Sequence, residues 1–460
     1  MNPFTPHLHT TGIHRREFLQ VGYSGLLGIG LPALLANQAR ATESADTTPP
    51  RRRNARSVLI IFLTGAPSHI DTFDPKSDAP AEVRGEFKAI STRVPGVQFG
   101  EHLPRLADRA DKLAIVRSLR HAEFNHLLAT HQVLTGEIMV GAKFDQVASR
   151  NDWPCYAGGL DYVRPRTDGV PNGVTLPTFL VEGPLTWPGQ HAGLLGPKHD
   201  PWHVKQDPNK PGFGVESLQL PKDSGAARLE GRRGLLDELS RASGSAADNP
   251  IADHQRTAFS MLTSGRVARA FEIDREPERI RDRYGRHTFG QSLLLARRLI
   301  QAGVPIVQAN MGHVQTWDNH GNIFPTLKDR LLPPLDRGVS ALLDDLEADG
   351  LLDETLVMLL GEFGRAPKIT SLPGDKSAGR DHWAPCFFAV FAGGGVHGGQ
   401  VIGKSDKIGA YPTTTPSAPA DIGATVYHAL GVDTAAEILD PLGRPMRLNR
   451  GTPIQALYPE

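Results

Sequence analysis

The chain has 460 residues, and its 50 Lys and Arg residues are balanced by 50 Asp and Glu, so the formal net charge at pH 7 is zero. This balance gives no indication of the broad basic surface that nucleic acids and acidic membranes select, and we therefore expect no nucleic-acid partner. Hydrophobic residues make up 39% of the sequence, which is enough for a buried core.

The N-terminal segment has the parts of an export signal. Arg15 and Arg16 precede a weakly apolar run at 21–36, and a small-x-small cleavage site follows. The run is short and rich in glycine, whereas a transmembrane helix needs about 20 predominantly apolar residues. The paired arginines indicate the twin-arginine export machinery. We predict a signal peptide at 1–41, a disordered linker at 42–56, a periplasmic or otherwise exported protein and no stable membrane insertion after cleavage.

Replacing Arg15 and Arg16 by lysine is expected to hold the precursor in the cytoplasm, because the export receptor reads the arginine pair. Cell fractionation followed by detection of the mature domain measures this, with the unchanged precursor as the control. A cleaved Lys-Lys variant outside the cytoplasm would contradict the assignment.

Five apolar segments are predicted to be strands, at 57–64, 113–117, 304–309, 355–360 and 387–392. Continuous apolar runs of this kind are typical of strands that are buried on both faces. Helical spacing of apolar residues occurs at 102–112, 125–135, 227–241, 251–271, 289–302, 324–349 and 421–430. The alternation predicts an α/β domain over 57–460, with a doubly wound, mostly parallel sheet and helices on both faces.

Residues 151–225 are rich in Gly, Pro and Trp and have little periodicity. We interpret this region as a loop-rich insertion that runs over the domain surface and faces the substrate. The two cysteines, Cys155 and Cys386, either pair or remain two buried thiols, and the sequence leaves both possibilities open. No Cys-x-x-Cys occurs, which excludes thiolate zinc sites.

Unusual polar residues lie at the ends of the predicted strands. The candidate metal ligands are Asp71 after the first strand, Asp318 and His320 after the third, Glu362 after the fourth, and Asp381 and His382 before the fifth. In open α/β sheets of this kind, substrates and ions bind beyond the carboxyl ends of the strands. Carboxylates and imidazoles suit zinc, manganese or iron, and calcium if oxygen atoms dominate. The sequence therefore predicts a divalent metal ion, although each residue alone could equally cap a helix or pack in the core.

Two arginines lie among these candidates. Arg365 and Arg380 match the geometry of a sulfate or phosphate group, and they are candidate catalytic residues for that reason. A structural salt bridge is the equally weighted alternative for both.

Six motifs resemble those of the DUF1501 family, which is often exported by the twin-arginine route and is related to sulfatases within the alkaline phosphatase-like superfamily. They are the segments 65–76 (GAPSHIDTFDPK), 134–136 (LTG), 317–321 (WDNHG), 361–365 (GEFGR), 379–383 (GRDHW) and 393–403 (GGGVHGGQVIG). The resemblance implies an alkaline phosphatase/sulfatase-like sheet with a metal site at the strand ends. It also implies hydrolysis or transfer of sulfate or phosphate esters.

The resemblance assigns roles to individual residues. Glu362 lies where relatives carry a metal-binding Asp, and His382 resembles their last His ligand. Asp318 and His320 resemble a second ligand group, although their spacing differs from the usual one. Asp71, or the nearby Asp74, would stand for the early acidic ligand, which relatives place closer to the strand end.

The chain departs from sulfatases at the nucleophile. The positions that correspond to their Cys or Ser, counted back from Thr135 and Gly136, are Asn125 and His126. Either the reaction needs no covalent intermediate, or the nucleophile lies elsewhere, or the fold has lost this chemistry. For a hydrolase, we expect water activated by the metal to be the attacking group. His126 would then carry a proton or act as a further ligand, and the equally weighted alternative is that it only packs.

Two functions remain open from the sequence. The first is an exported metal-dependent hydrolase acting on a small or polymeric anionic ester of sulfate or phosphate, with zinc, manganese or calcium as cofactor. The alternative is a non-catalytic metal- or glycan-binding protein that retains the sulfatase-like fold. The missing nucleophile is the feature that separates them, because enzymes of this superfamily usually keep one.

Overall fold

A computed structural model describes residues 54–214, 265–370 and 377–459, together with residues 231, 234, 235 and 238. The described residues from Asn54 onward form one compact unit. The predicted signal peptide, nearly all of the predicted linker, and most of the helices predicted at 227–241 and 251–271 lie outside the described residues.

Most strands are short and lie outside the central sheet. In chain order the strands are β1 (Ser57–Phe62), β2 (Ala89–Ser91), β3 (Gln98–Gly100), β4 (Leu113–Leu119), β5 (Gly173–Leu176), β6 (Val181–Glu182), β7 (Leu185–Thr186), β8 (Trp202–His203), β9 (Ile306–Asn310), β10 (Thr355–Leu360), β11 (Gly364–Arg365), β12 (His382–Trp383), β13 (Phe387–Ala392), β14 (Gln400–Ile402), β15 (Lys404–Ser405), β16 (Pro412–Thr414), β17 (Glu437–Leu439) and β18 (Pro445–Arg447).

The α-helices follow the same numbering scheme. They are α1 (Ala81–Arg84), α2 (Pro104–Ala107), α3 (His126–Thr135), α4 (Tyr156–Val163), α5 (Arg266–Ala270), α6 (Glu278–Tyr284), α7 (Thr288–Gln301), α8 (Ile323–Thr326), α9 (Leu332–Ala348) and α10 (Pro419–Ala429). Among the described helices, none has both the length and the apolar character needed to cross a bilayer.

The central sheet has eight strands in the order β14-β4-β13-β10-β1-β9-β5-β8. All of them are parallel except β13, which is antiparallel to both of its neighbours. All five predicted strands are present, and the α/β class with a mostly parallel sheet is confirmed.

Strand β1 shows why apolar and polar residues do not alternate in the strands of the central sheet. Val58, Ile60 and Phe62 pack into the core on one face, and Leu59 and Ile61 pack into the core on the other. Helices α7 and α9 cover the second face, while α4 and α10 cover the first. Burying a large aliphatic or Phe side chain stabilises the fold by about 1.5–3 kcal/mol, so a strand covered on both sides selects apolar residues at every position.

The predicted loop-rich insertion contains more regular structure than expected. Strand β5 pairs in parallel with β9, and β8 pairs with β5, so the region extends one edge of the sheet. Val174 and Leu176 of β5 are buried. These strands have four and two residues, which is too short for a periodic pattern to reveal.

The long helix predicted at 324–349 is interrupted. Helix α8 is followed by a π-helical turn at Leu327–Leu331 and then by α9. Pro333 and Pro334 lack the N–H groups that regular α-helical hydrogen bonds would need in this turn, which explains the irregularity.

The structure describes both cysteines and leaves them unpaired and buried. Burial raises the pKa of the Cys155 and Cys386 thiols to about 12 each. Both are therefore protonated at neutral pH and are poor nucleophiles.

Candidate metal centre

Helix α3 positions His126 through its N-terminal cap. The Asn125 side chain accepts hydrogen bonds from the backbone N–H groups of Leu127 and Leu128, at 3.0 and 3.3 Å, and Gly136 ends the helix in the left-handed conformation at φ 78°. An Asn in this position satisfies N–H groups that would otherwise be unpaired. The predicted nucleophile position is thus occupied by a helix cap and by a buried imidazole.

Asp318 is the centre of a cluster of imidazoles. Its Oδ1 atom lies 3.0 Å from His320 Nε2 and 3.1 Å from His382 Nε2, and its Oδ2 atom lies 3.2 Å from His126 Nε2. The two Nε2 atoms of His320 and His382 are 3.0 Å apart. Donor atoms of His126, Asp318 and His382 all lie within 4.8 Å of one another, a spacing that could hold a metal ion.

Each imidazole is oriented through its other nitrogen. The Nδ1 atom of His126 lies 2.7 Å from Glu362 Oε1, that of His320 lies 2.8 Å from Asp381 Oδ1, and that of His382 lies 2.8 Å from the Phe124 carbonyl. A carbonyl oxygen only accepts, so His382 must carry its proton on Nδ1. In its neutral form the ring therefore directs the Nε2 lone pair at Asp318.

This arrangement fits a metal ion. If all three rings share the tautomer of His382, their Nε2 lone pairs face the Asp318 carboxylate, and a bound cation would relieve the repulsion between them. His126 Nε2 is buried and faces Asp318 Oδ2 at 3.2 Å. Metal-bound histidines generally donate their second ring N–H to a carboxylate or carbonyl, which is the pattern seen in all three residues.

The pKa shifts of the cluster also favour a bound cation. Burial alone would lower the pKa of His126, but hydrogen bonds to Asp318 and Glu362 outweigh it and raise the pKa to about 9. Burial opposes the ionised form of Asp318, yet its three imidazole partners and Arg365 lower its pKa below the usual range. The hydrogen bond to Asp318 raises the pKa of His320. The site accumulates negative charge that a proton or a metal ion must compensate.

The metal-free protein is expected to lose stability between pH 6.5 and 9. The folded-state pKa of His126 lies above its ordinary value of 6.5, so its contribution is fully present below pH 6.5 and disappears as pH rises through about 9. Thermal unfolding of chelator-treated protein measures this. His126→Gln should flatten the profile, and an unchanged slope in that variant would contradict the assignment.

Glu362 contacts the ring of His126 and lies outside the group of donor atoms. Its buried carboxylate also accepts hydrogen bonds from the backbone N–H groups of Gly65 (2.9 Å) and Ala66 (3.1 Å). Gly65 has φ 104°, and a Cβ at this position would lie 2.7 Å from the Asp318 backbone nitrogen. In this geometry Glu362, predicted to be a ligand, contacts His126 Nδ1 and closes the turn after β1.

Glu362→Gln is expected to weaken metal binding by about 10–100-fold, because partners that orient a ligand have effects of this size. The Gln side chain can still accept a hydrogen bond from the turn after β1, so the variant should fold. Titration against a chromogenic chelator measures the affinity. Wild-type affinity in this variant would show that the contact with His126 does not position the ring.

Arg365 is fully buried and directs its donors at the protein itself. Nε donates to the Ala66 carbonyl at 2.8 Å, and Nη2 donates to the Gly65 carbonyl and to Asp318 Oδ1. Burial lowers the pKa of this guanidinium, and Asp318 opposes the shift. The geometry fits the structural alternative for Arg365, because the side chain holds Asp318 and the β1 turn together.

Asp71 and Arg380 form a separate, fully buried ion pair. Arg380 Nε donates to Asp71 Oδ2 at 2.7 Å, and Nη2 donates to Oδ1 at 3.1 Å. Arg380 also donates to the carbonyls of Val83 and Pro367, and Ser68 donates to Asp71 at 2.5 Å. Both oxygens of the predicted ligand Asp71 are therefore engaged outside the cluster, and Arg380 fits a structural role instead of substrate binding.

Asp381 is the most exposed of the predicted ligands. Its two carboxylate oxygens accept hydrogen bonds from His320 Nδ1 and, at 3.0 Å, from Thr370. The bond to His320 lowers the pKa of Asp381. The structure brings Asp381 to the site as a partner of His320, and not as one of the converging donors.

Aromatic residues that the sequence analysis did not select enclose His126. Trp187 and Phe363 both stack on its ring. Their ring centroids lie 5.6 Å and 4.8 Å from the centroid of the imidazole. His121 accepts from the Glu123 N–H through Nδ1, and so donates through Nε2 to the Glu362 carbonyl at 2.7 Å. Trp187 lies in the Gly- and Pro-rich region without periodicity, where no pattern marks it.

The comparisons with known proteins agree with the motifs. The family model described as "Protein of unknown function (DUF1501)" matches residues 55–458. The chain belongs to the DUF1501 family. None of the curated proteins searched matches this sequence.

Several solved structures are similar to the chain at low identity. PsFucS1 sulfatase from Pseudoalteromonas sp. is 11% identical, with a TM-score of 0.36 over 87% of this chain and 71% of the other. The phosphonate monoester hydrolase SpPMH from Silicibacter pomeroyi is 10% identical, with a TM-score of 0.35 over 88% and 76%. An alkaline phosphatase superfamily protein from Vibrio parahaemolyticus is 10% identical, with a TM-score of 0.34 over 88% and 76%. At these values the likeness allows no inference about activity.

Proposed function

We propose that this member of the DUF1501 family is an exported metal-dependent hydrolase of sulfate or phosphate esters. The observation that supports it is the convergence of His126, His320 and His382 on the Asp318 carboxylate, with every Nδ1 engaged by an oxygen acceptor. The export and the esters rest on the sequence motifs, and the metal rests on this geometry.

The donor set favours zinc. Three imidazole nitrogens and one carboxylate are the ligands that zinc prefers, and manganese or iron can also use them. Calcium prefers a shell made of oxygen atoms, so it is the least suited of the ions considered. When bound, a divalent ion would act as a Lewis acid and lower the pKa of its water to about 7.

The residues of the chain have distinct tasks in this proposal. His126, Asp318, His320 and His382 hold the ion, and Arg365 fixes the Asp318 carboxylate. Each imidazole ring is oriented by one acceptor. His126 is oriented by Glu362, His320 by Asp381 and His382 by the Phe124 carbonyl. His320 and His382 have side chains 25% and 24% exposed, whereas His126 is 7% exposed, so an ester reaches the site from the side of the first two.

The attacking group in this proposal is water. Asn125 is used as a helix cap, and His126 faces Asp318, so neither position offers a hydroxyl or thiol for a covalent intermediate. Because His126 lies inside the donor group, His126→Ala should lose metal as well as activity, and not activity alone.

Metal analysis and a substrate panel test the proposal. Purified mature protein should contain about one divalent ion per chain, and it should hydrolyse at least one of a set of aryl sulfates, phosphate monoesters and phosphate diesters. A single turnover in oxygen-18 water should then place the label in the released sulfate or phosphate without a trapped protein adduct.

The outcomes separate the two functions. Protein that binds zinc or manganese but hydrolyses no member of the panel would favour the non-catalytic metal-binding alternative. Protein without metal, and without a thermal shift on adding zinc or manganese, would overturn the metal centre. A covalent adduct on a Ser or Thr would overturn direct attack by water.

A further inference from the structure

Three aromatic side chains form an open surface beside the metal centre. Phe124 and Trp383 have ring centroids 6.4 Å apart, and Trp383 and Tyr411 have centroids 5.6 Å apart. Phe124 is 42% exposed and Tyr411 is 54% exposed. We call Phe124, Trp383 and Tyr411 the aromatic platform.

The platform is joined to the centre through the backbone. The Phe124 carbonyl accepts the Nδ1 proton of His382, and Trp383 is the next residue after His382 on β12. Trp383 pairs across the β11–β12 ladder with Gly364, next to the Arg365 that holds Asp318. The platform therefore includes one residue that hydrogen-bonds to His382 and one that adjoins it in the chain.

Hydrogen bonds hold the Trp383 ring and the backbone that carries Tyr411 in place. Trp383 Nε1 donates to the Ala410 carbonyl at 2.6 Å. The Asp406 carboxylate accepts from the backbone N–H groups of Ala410 and Tyr411, at 2.8 and 3.2 Å, and so fixes the loop between β15 and β16. Ordering of this kind lowers the entropy that binding would otherwise cost.

We propose, on the basis of the proposed function, that the aromatic platform binds a sugar ring of the substrate, which is then a sulfated or phosphorylated glycan. A pyranose ring presents a flat face of C–H groups that packs on aromatic rings, while its hydroxyl groups remain in water. The rings of the platform offer such a surface on residues that contact or adjoin His382.

The size of the platform favours a sugar over a protein partner. An aromatic side chain buries about 150–250 Å² in full, so Phe124 and Tyr411 together expose roughly 200 Å² at the fractions given above. A stable protein interface buries about 800 Å² on each partner. The exposed lysines Lys404 and Lys407 lie on the same hairpin as Tyr411, which suits a glycan that carries further sulfate or phosphate groups.

Affinity electrophoresis of the mature, metal-loaded protein in gels with dextran sulfate or chondroitin sulfate tests the platform. Wild-type protein should be retarded. Tyr411→Ala and Phe124→Ala should each raise the Kd by about fivefold or more, because truncated aromatic anchors have effects of this size. Phe124→Ala keeps the backbone carbonyl that orients His382. Trp383→Phe should retain more affinity than Trp383→Ala.

Leu442→Ala is the matched control, because Leu442 is a 77% exposed apolar residue in a different hairpin, between β17 and β18. It should bind like wild type. On a sulfated oligosaccharide, the loss in Tyr411→Ala should fall on KM and not on kcat.

The two proposals fail differently. Wild-type protein that neither dextran sulfate nor chondroitin sulfate retards, or platform variants with the affinity of Leu442→Ala, would overturn the platform even if aryl esters are hydrolysed. Weakened glycan binding in these variants without any ester hydrolysis would support the platform and overturn the hydrolase.

Discussion

Asp318→Asn protein is expected to bind zinc at least about 100-fold more weakly than wild type and to lose about 10³-fold or more of any hydrolytic rate. The amide keeps the volume of the carboxylate but removes the charge on which His126, His320 and His382 converge. Metal content by mass spectrometry and chelator competition measure the first effect, and the ester panel measures the second.

Asp381→Asn provides a graded comparison for the same measurements. Asp381 contacts only the outer nitrogen of His320 within the cluster, and it is exposed, so its loss should weaken metal binding by about tenfold. Equal effects in the two variants would mean that Asp318 is not the centre of the donor group. Wild-type metal content in Asp318→Asn would remove Asp318 from the site.

The second large effect is expected in Asp71→Asn, which should lose about 3–5 kcal/mol of unfolding free energy while the folded fraction keeps its metal. Removing one partner of a buried ion pair leaves the other charge uncompensated, and this costs about that much. Arg380 has no exposed surface through which water could replace Asp71. Urea unfolding measures the stability, and metal content of the folded protein is determined in parallel.

The double variant Asp71→Leu with Arg380→Met is the control for this explanation. Replacing both charges by apolar side chains of similar size should recover much of the loss, because no unpaired charge remains. A metal-depleted but fully stable Asp71→Asn protein would instead return Asp71 to the list of ligands. The same pair of measurements therefore separates the structural role of Asp71 from the predicted one.

The sequence alone determined the central strands and the side of the sheet on which the site lies. Strands such as β1 and β10 are covered on both faces, so every position is apolar and the pattern is visible without a structure. Polar residues that follow such strands collect at one edge of the sheet. For this reason Asp318 and His320 could be selected from their positions in the chain. His382 precedes β13, and the antiparallel direction of that strand brings it to the same edge.

Only the tertiary structure decided which partners each polar residue contacts. Asp71 and Arg380 are 309 residues apart in the chain, and nothing local to either one shows that they neutralise each other. Glu362 and Asp318 both follow buried strands, yet one orients an imidazole and the other faces three. This difference depends on distances of a few ångströms between separate loops, because ligation and hydrogen bonding are set by contact geometry, whereas the hydrophobic pattern reports only burial.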